Sequence, residues 1–164
     1  MIDLLIDLPA DLIRYLEFYI QQGFWVFPCK PINGIKGVEK SPYTHHGFKD
    51  AVNNLEQAIA LFRKYPDPII GIDCERSEIL AVDVDNKNGK HGTESFMALE
   101  IKYGKLPTTW WTITPNAGDH IIFRSKNKDI RCSEDFWPGI DIKANGGYIC
   151  APPIGYRFHE SIDP

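Results

Sequence analysis

Residues 79–85, Ile-Leu-Ala-Val-Asp-Val-Asp, constrain this chain more than any other stretch, because an apolar run ends in two carboxylates two positions apart. Side chains alternate between the two faces of a strand, so a strand here puts Asp83 and Asp85 on one face and Leu80, Val82 and Val84 on the other. Two carboxylates held this close make a poor core and a good cation site. Mg²⁺ and Mn²⁺ favour carboxylate oxygens, and a pair at a strand end leaves coordination positions for water or phosphate. The same pair also fits a strand running out into a solvated loop, since Asn86-Lys87-Asn88-Gly89 follows at once.

A chain of 164 residues is long enough to bury a full core and is expected to form one domain. No apolar run approaches the roughly 20 residues of a membrane span, and the first residues carry acids where a signal peptide carries positive charge. A cytoplasmic location is expected. Cys29, Cys74, Cys132 and Cys150 are scattered, with no C-x-x-C pair and no close Cys/His grouping, so neither a zinc site nor a disulfide framework is indicated. A formal net charge of −4 argues against a protein that coats long duplex DNA, but leaves room for a local basic groove.

Along the chain, Leu12, Ile13, Leu16, Tyr19 and Ile20 form a helical stripe over 10–22 that stops at Gly23. Phe24-Trp25-Val26-Phe27 reads as a buried strand ended by Pro28. Residues 31–49 form a long Gly-, Pro- and Lys-rich loop; its cations, with Lys30, Lys36, Lys40 and Lys49 foremost, either meet an anion or face solvent. A helix is expected over 53–65. Strands at 69–72 and 79–85 are expected to form a hairpin or neighbouring pair around Ser77-Glu78. Thr93 should cap a helix over 93–103 that ends before Gly104. Strands at 110–114 and 120–124 flank the turn at 115–118, which places His120 where a strand leaves a Gly turn. Residues 129–137 are weakly patterned and read as a loop or short helix. Residues 139–143 and 148–151 read as partner strands around Gly146-Gly147, with Asp141 on the opposite face from Ile140 and Ile142.

The order of these fragments matters more than any one of them. D-V-D at a strand end, Gly118-Asp119-His120 after a Thr-Pro turn, and G-I-D-I-K followed by G-G-Y-I-C-A-P-P together resemble the bifunctional primase/polymerase N-terminal domain of the archaeo-eukaryotic primase superfamily. The resemblance runs from Gly23-Phe24-Trp25-Val26-Phe27-Pro28, through Lys40-Ser41-Pro42 and Gly47-Phe48-Lys49-Asp50-Ala51, to Ala151-Pro152-Pro153.

That resemblance implies an α+β fold, an RRM-like palm sheet with a second N-terminal α/β layer and the active-site cleft between them. It implies that Asp83, Asp85 and Asp141 hold divalent metal, Mg²⁺ or Mn²⁺, in a two-metal site, and that His120 meets the incoming nucleotide's phosphates. Lys143 stands where relatives carry a basic residue, and Lys40, Arg124 and Lys143 join His120 as the expected triphosphate cations. The implied partners are a DNA template and primer, a dNTP or rNTP, and a helicase or further C-terminal domain, in a replication protein of a plasmid, phage or mobile element. One motif departs: relatives read Ser-Gly-Gly-x-His, whereas this chain has Asn116-Ala117-Gly118-Asp119-His120. Ala117 is expected to restrict the turn, and Asp119 to bring negative charge close to a phosphate site.

The physical chemistry agrees with these roles. Polymerisation uses two metals about 4 Å apart, one for the attacking 3′-oxygen and one for the leaving pyrophosphate, and three carboxylates suit that clamp. Two other functions use the same residues. A nuclease or phosphohydrolase would activate water with the carboxylates, and a catalytically silent nucleic-acid-binding module would keep the acids as structure alone.

Overall fold

The computed structural model describes residues 7–160. Helix α1 (Ala10–Gln21) buries Leu12, Leu16 and Tyr19 along one stripe and ends as Gly23 turns at φ +82°. Strand β1 (Val26–Cys29) follows, with Pro28 inside it rather than ending it. The reason is position: β1 is an edge strand, and the outward backbone groups of Val26 bond Val52, so the alternate residue Pro28 also turns its nitrogen outward, where the ladder asks for no donor.

Helix α2 (Leu55–Phe62) starts where the Asn54 side chain accepts from the Gln57 N–H at 3.0 Å, which shortens the expected 53–65 helix at its front. Strand β2 (Ile69–Asp73) is buried throughout. The next elements are β3 (Ile79–Val84), helix α3 (Gly92–Tyr103), β4 (Trp110–Ile113), β5 (Asp119–Arg124), β6 (Ser133–Trp137), β7 (Ile140–Lys143), β8 (Tyr148–Ala151) and β9 (Arg157–Phe158).

These strands make two antiparallel sheets, β1-β2-β8 and β6-β7-β3-β5-β4-β9, so the fold is α+β as expected. Two expected pairings are corrected. β2 and β3 are not partners, because β2 is saturated by β1 and β8 while β3 is saturated by β5 and β7. β7 and β8 likewise part at Gly146-Gly147, and β8 returns to the smaller sheet. Two further expectations fail locally. Residues 133–137 are a strand, whose pattern is hidden because it is an exposed edge with a register irregularity. Thr93 is not the cap of α3: its N–H is served at 3.0 Å by the Asn86 side chain, reaching over from the preceding loop.

Register explains how one sheet face serves two purposes. Ile79 and Ala81 of β3, Ile122 of β5 and Trp110 of β4 join a core with Leu12 and Leu16 of α1, Phe62 of α2, and Ile70 and Ile72 of β2. Asp83 and His120 rise from the same face, further along the same strands. The opposite face carries Val84, Ile121 and Ile140, which pack with Phe96 of α3. Among the described residues no helix is long and apolar enough to cross a membrane.

Candidate active site

Asp83 is the centre of a row. In register it stands opposite Asp141 on β7 and opposite His120 on β5, and His120 in turn stands opposite Thr112 on β4. Four side chains from four adjacent strands therefore share one line across the face, because antiparallel partners project the same way. Asp85 lies just past β3, and its backbone is clamped. Its N–H donates to Gly139 O at 2.8 Å and its carbonyl accepts from Gly92 N–H at 2.9 Å. A Cβ on Gly92 would come within 2.4 Å of Gly139 O and 2.6 Å of Asp85 O, so only glycine allows the three backbones to meet.

The polar end of the row opens onto a cavity of about 530 Å³. Asp83, Asp85, His120, Lys143 and Lys40 all line it, and so do Tyr148, Cys150 and Tyr156. Lys40 comes from the loop beside the smaller sheet. It is held at φ +62°, with its carbonyl accepting from the Tyr148 hydroxyl at 3.2 Å and its N–H donating to Lys30 O at 3.0 Å. Lys36 and Lys49 are exposed and do not line the cavity. Arg124 is also apart from it, at the far end of β5 from His120. Its guanidinium lies 4.6 Å from the Phe24 ring and donates to the Gln22 and Ser77 carbonyls, joining β5 to the end of α1.

Each acid is matched by a cation. Lys143 Nζ is 3.3 Å from Asp141 Oδ2 and 3.9 Å from Asp83 Oδ2, while Asp83 Oδ1 is 3.4 Å from His120 Nε2. Asp85 lies 3.8 Å from Lys87 and 3.7 Å from Lys90, and Lys90 also reaches Asp135 at 3.4 Å. Burial alone would raise the Asp83 pKa, but the hydrogen bond and charge of His120, with Lys143 and Lys87, outweigh it and hold the carboxyl below its ordinary range. Burial likewise disfavours the charged Lys143, yet Asp83 and Asp141 overcome it and raise the ammonium's pKa. Asp141 also accepts the Asp135 N–H at 2.8 Å.

The donor set suits a hard cation: carboxylate oxygens from Asp83, Asp85 and Asp141, two of them in direct register. Among the described residues, however, no three His, Cys, Asp or Glu side chains are gathered as a metal cluster. Lys143 stands between Asp83 and Asp141, and Lys87 and Lys90 engage Asp85, so ammonium groups neutralise the acids in this arrangement. A sequence model of the bifunctional DNA primase/polymerase N-terminal domain matches residues 16–159, nearly the whole chain. The chain belongs to this primase/polymerase family. A search of curated proteins finds no match.

Ala117 adopts φ +55°, a left-handed conformation that costs an L-residue about 1 kcal/mol. The Asn86 amide supports it by donating to Ala117 O at 2.9 Å. Gly118 is the position that cannot change, since a Cβ there would come within 2.2 Å of Val84 O. The expectation that Asp119 brings negative charge toward the phosphate site is corrected. Strand alternation turns it to the opposite face from His120, where its carboxylate accepts from Trp111 Nε1 at 2.8 Å.

Sequence reasoning does not single out several residues that surround these acids and His120. Lys87 and Lys90 were visible as charges just after D-V-D, but nothing tied them to Asp85 rather than to solvent. Tyr156, stacked on His120 with ring centroids 5.7 Å apart, lies in a segment with no periodic pattern, and Thr112 reads as an ordinary strand residue.

Proposed function

We propose that this primase/polymerase member is a metal-dependent, template-directed nucleotidyltransferase that extends or starts a DNA strand from dNTPs or rNTPs. The chain would act as one catalytic domain, in the cytoplasm, within a replication protein of a plasmid, phage or mobile element that carries a helicase or further C-terminal domain. The observation that carries this reading is the row Asp141, Asp83, His120 on three adjacent strands, with Asp83, Asp85 and His120 lining one cavity.

Asp83, Asp85 and Asp141 would hold Mg²⁺ or Mn²⁺. When bound, such ions lower the pKa of the primer 3′-hydroxyl and neutralise charge on the departing pyrophosphate. The residues of the chain do the rest by position and charge. The 3′-oxygen forms a bond to the α-phosphorus as the bond to pyrophosphate breaks, and the hydroxyl proton leaves to solvent. His120, on β5 of the larger sheet, and Lys40, from the loop beside the smaller one, both line the cavity that would take the triphosphate. Lys143, held by two carboxylates without substrate, is long enough to turn toward the same phosphates. Arg124 serves the structural tie between β5 and α1, not the triphosphate.

The test is incubation of the protein with Mn²⁺, a primed template and nucleoside triphosphates, with Asp83→Asn as control. Extension by the wild type alone supports the proposal. Shortening of the primer would identify a nuclease, and no reaction together with no Mn²⁺-induced thermal shift would identify a silent binding module.

A further inference from the structure

Two buried polar atoms in the row have no hydrogen-bond partner, Thr112 Oγ1 and His120 Nδ1. They belong to cross-strand neighbours. Thr112 and His120 are paired in register between β4 and β5, so both side chains leave the sheet on the same face. Thr112 is 1% exposed and His120 6%, which keeps bulk water from serving either atom. A buried polar group left unpaired is costly, and one bond between these two would remove both costs.

The ring's surroundings decide the direction of that bond. Nε2 faces Asp83 Oδ1 at 3.4 Å, and an ionised carboxylate only accepts, so Nε2 must carry the hydrogen. In a neutral imidazole Nδ1 is then a bare acceptor that needs a donor. Tyr156 does not supply one, because it offers His120 its ring face, the two ring planes inclined by 30°. The Thr112 hydroxyl is a donor in the adjacent register position. One χ1 step of Thr112 exchanges its hydroxyl and methyl on Cβ without moving the strand.

We propose that Thr112 is the positioning residue of His120: its hydroxyl donates to Nδ1 and holds the neutral ring in the Nε2–H tautomer, directed at the Asp83 side of the cavity. The catalytic weight of this contact rests on the function proposed above, but the contact itself is tested in the free protein.

With ¹⁵N-labelled histidine, the ring nitrogens of His120 are recorded at a pH where imidazole is neutral, in the wild type, Thr112→Val and Thr112→Ser. The wild type should show Nε2 protonated and Nδ1 at the shift of a hydrogen-bonded acceptor. Thr112→Val, which keeps the side-chain shape, should move Nδ1 to the shift of an unbonded acceptor and lower the melting midpoint; Thr112→Ser should restore both. Should the valine variant fold poorly, Thr112→Ala gives the same Nδ1 reading. An Nδ1 resonance identical in the wild type and the valine variant would overturn the proposal. So would a higher midpoint in the valine variant, the result expected if the hydroxyl has no partner to lose. In nucleotide addition, Thr112→Val should raise the nucleotide KM several-fold with a smaller change in kcat. If the wild type adds no nucleotide, the proposed function fails while the ring resonances still decide the role of Thr112.

Discussion

Asp83 and Asp141 stand directly opposite each other in the β3–β7 register, and the Lys143 ammonium lies 3.9 Å and 3.3 Å from them. Like charges in opposed positions destabilise a sheet, so this ammonium does structural work whenever no other cation is present. Lys143→Met should lower the stability of the metal-free protein by about 1–2 kcal/mol, with Mn²⁺ restoring most of it. Thermal melts with and without Mn²⁺ check this, and equal melting of the variant and wild type in metal-free buffer would remove Lys143 from that role. Asp83→Asn, in the same melts, should stay folded while losing nucleotide addition.

The pH dependence of stability has a sign that follows from Asp83. Its pKa is lowered in the folded state, so the group binds fewer protons there than in the unfolded chain. The stability it contributes is fully present above the ordinary carboxylate value of about 4 and is lost as pH falls through the depressed folded value. Urea unfolding across this acid window should show stability rising with pH, with a shallower rise in Asp83→Asn. Lys143 acts at the other end: its raised pKa contributes stability below the ordinary lysine value, lost as pH rises through the folded one.

The turn before His120 predicts two opposite outcomes from two small changes. Ala117→Gly relieves a left-handed alanine and should stabilise the protein by about 1 kcal/mol, seen as a higher melting midpoint. Gly118→Ala drives a methyl into Val84 O and should cost several times as much, or prevent folding.

His120→Ala should weaken nucleotide use far more than template binding. Losing a charge-assisted bond to a triphosphate costs on the order of 2 kcal/mol, more than tenfold in kcat/KM. Equal losses in nucleotide and template affinity would point to a structural histidine.

Lys40 and Lys36 separate a cavity lysine from a surface one. Lys40→Ala should raise the nucleotide KM several-fold, less so at high salt, while Lys36→Ala changes little. Tyr148→Phe should reproduce part of the Lys40 effect without touching a charge, because it releases the carbonyl that holds Lys40 in place. Steady-state kinetics at two ionic strengths would distinguish these outcomes.

Local periodicity made α1, β3 and the β4–β5 turn legible, and strand alternation alone put Asp83 apart from Val82 and Val84. It failed where the deciding contact was remote in sequence. Nothing near Ile79 says that its strand will pair with 119–124 and 140–143 rather than with 69–73, because an apolar strand offers both edges to any partner. The strand at 133–137 was hidden for the opposite reason: its exposed residues leave no apolar alternation to read. The acids at 83, 85 and 141 were legible from spacing and resemblance, but their lysine partners were not, since a flexible side chain's target depends on the tertiary surface it meets.

The chain passes between the two sheets three times, from β2 to β3, from β7 to β8 and from β8 to β9. During synthesis, then, β1 and β2 emerge long before β8 can close the open edge of β2, and the whole of the larger sheet's acid row is made in the interval. The smaller sheet cannot be completed until residues 148–151 have left the ribosome, so the wall that carries Lys40 should reach its final form late in folding.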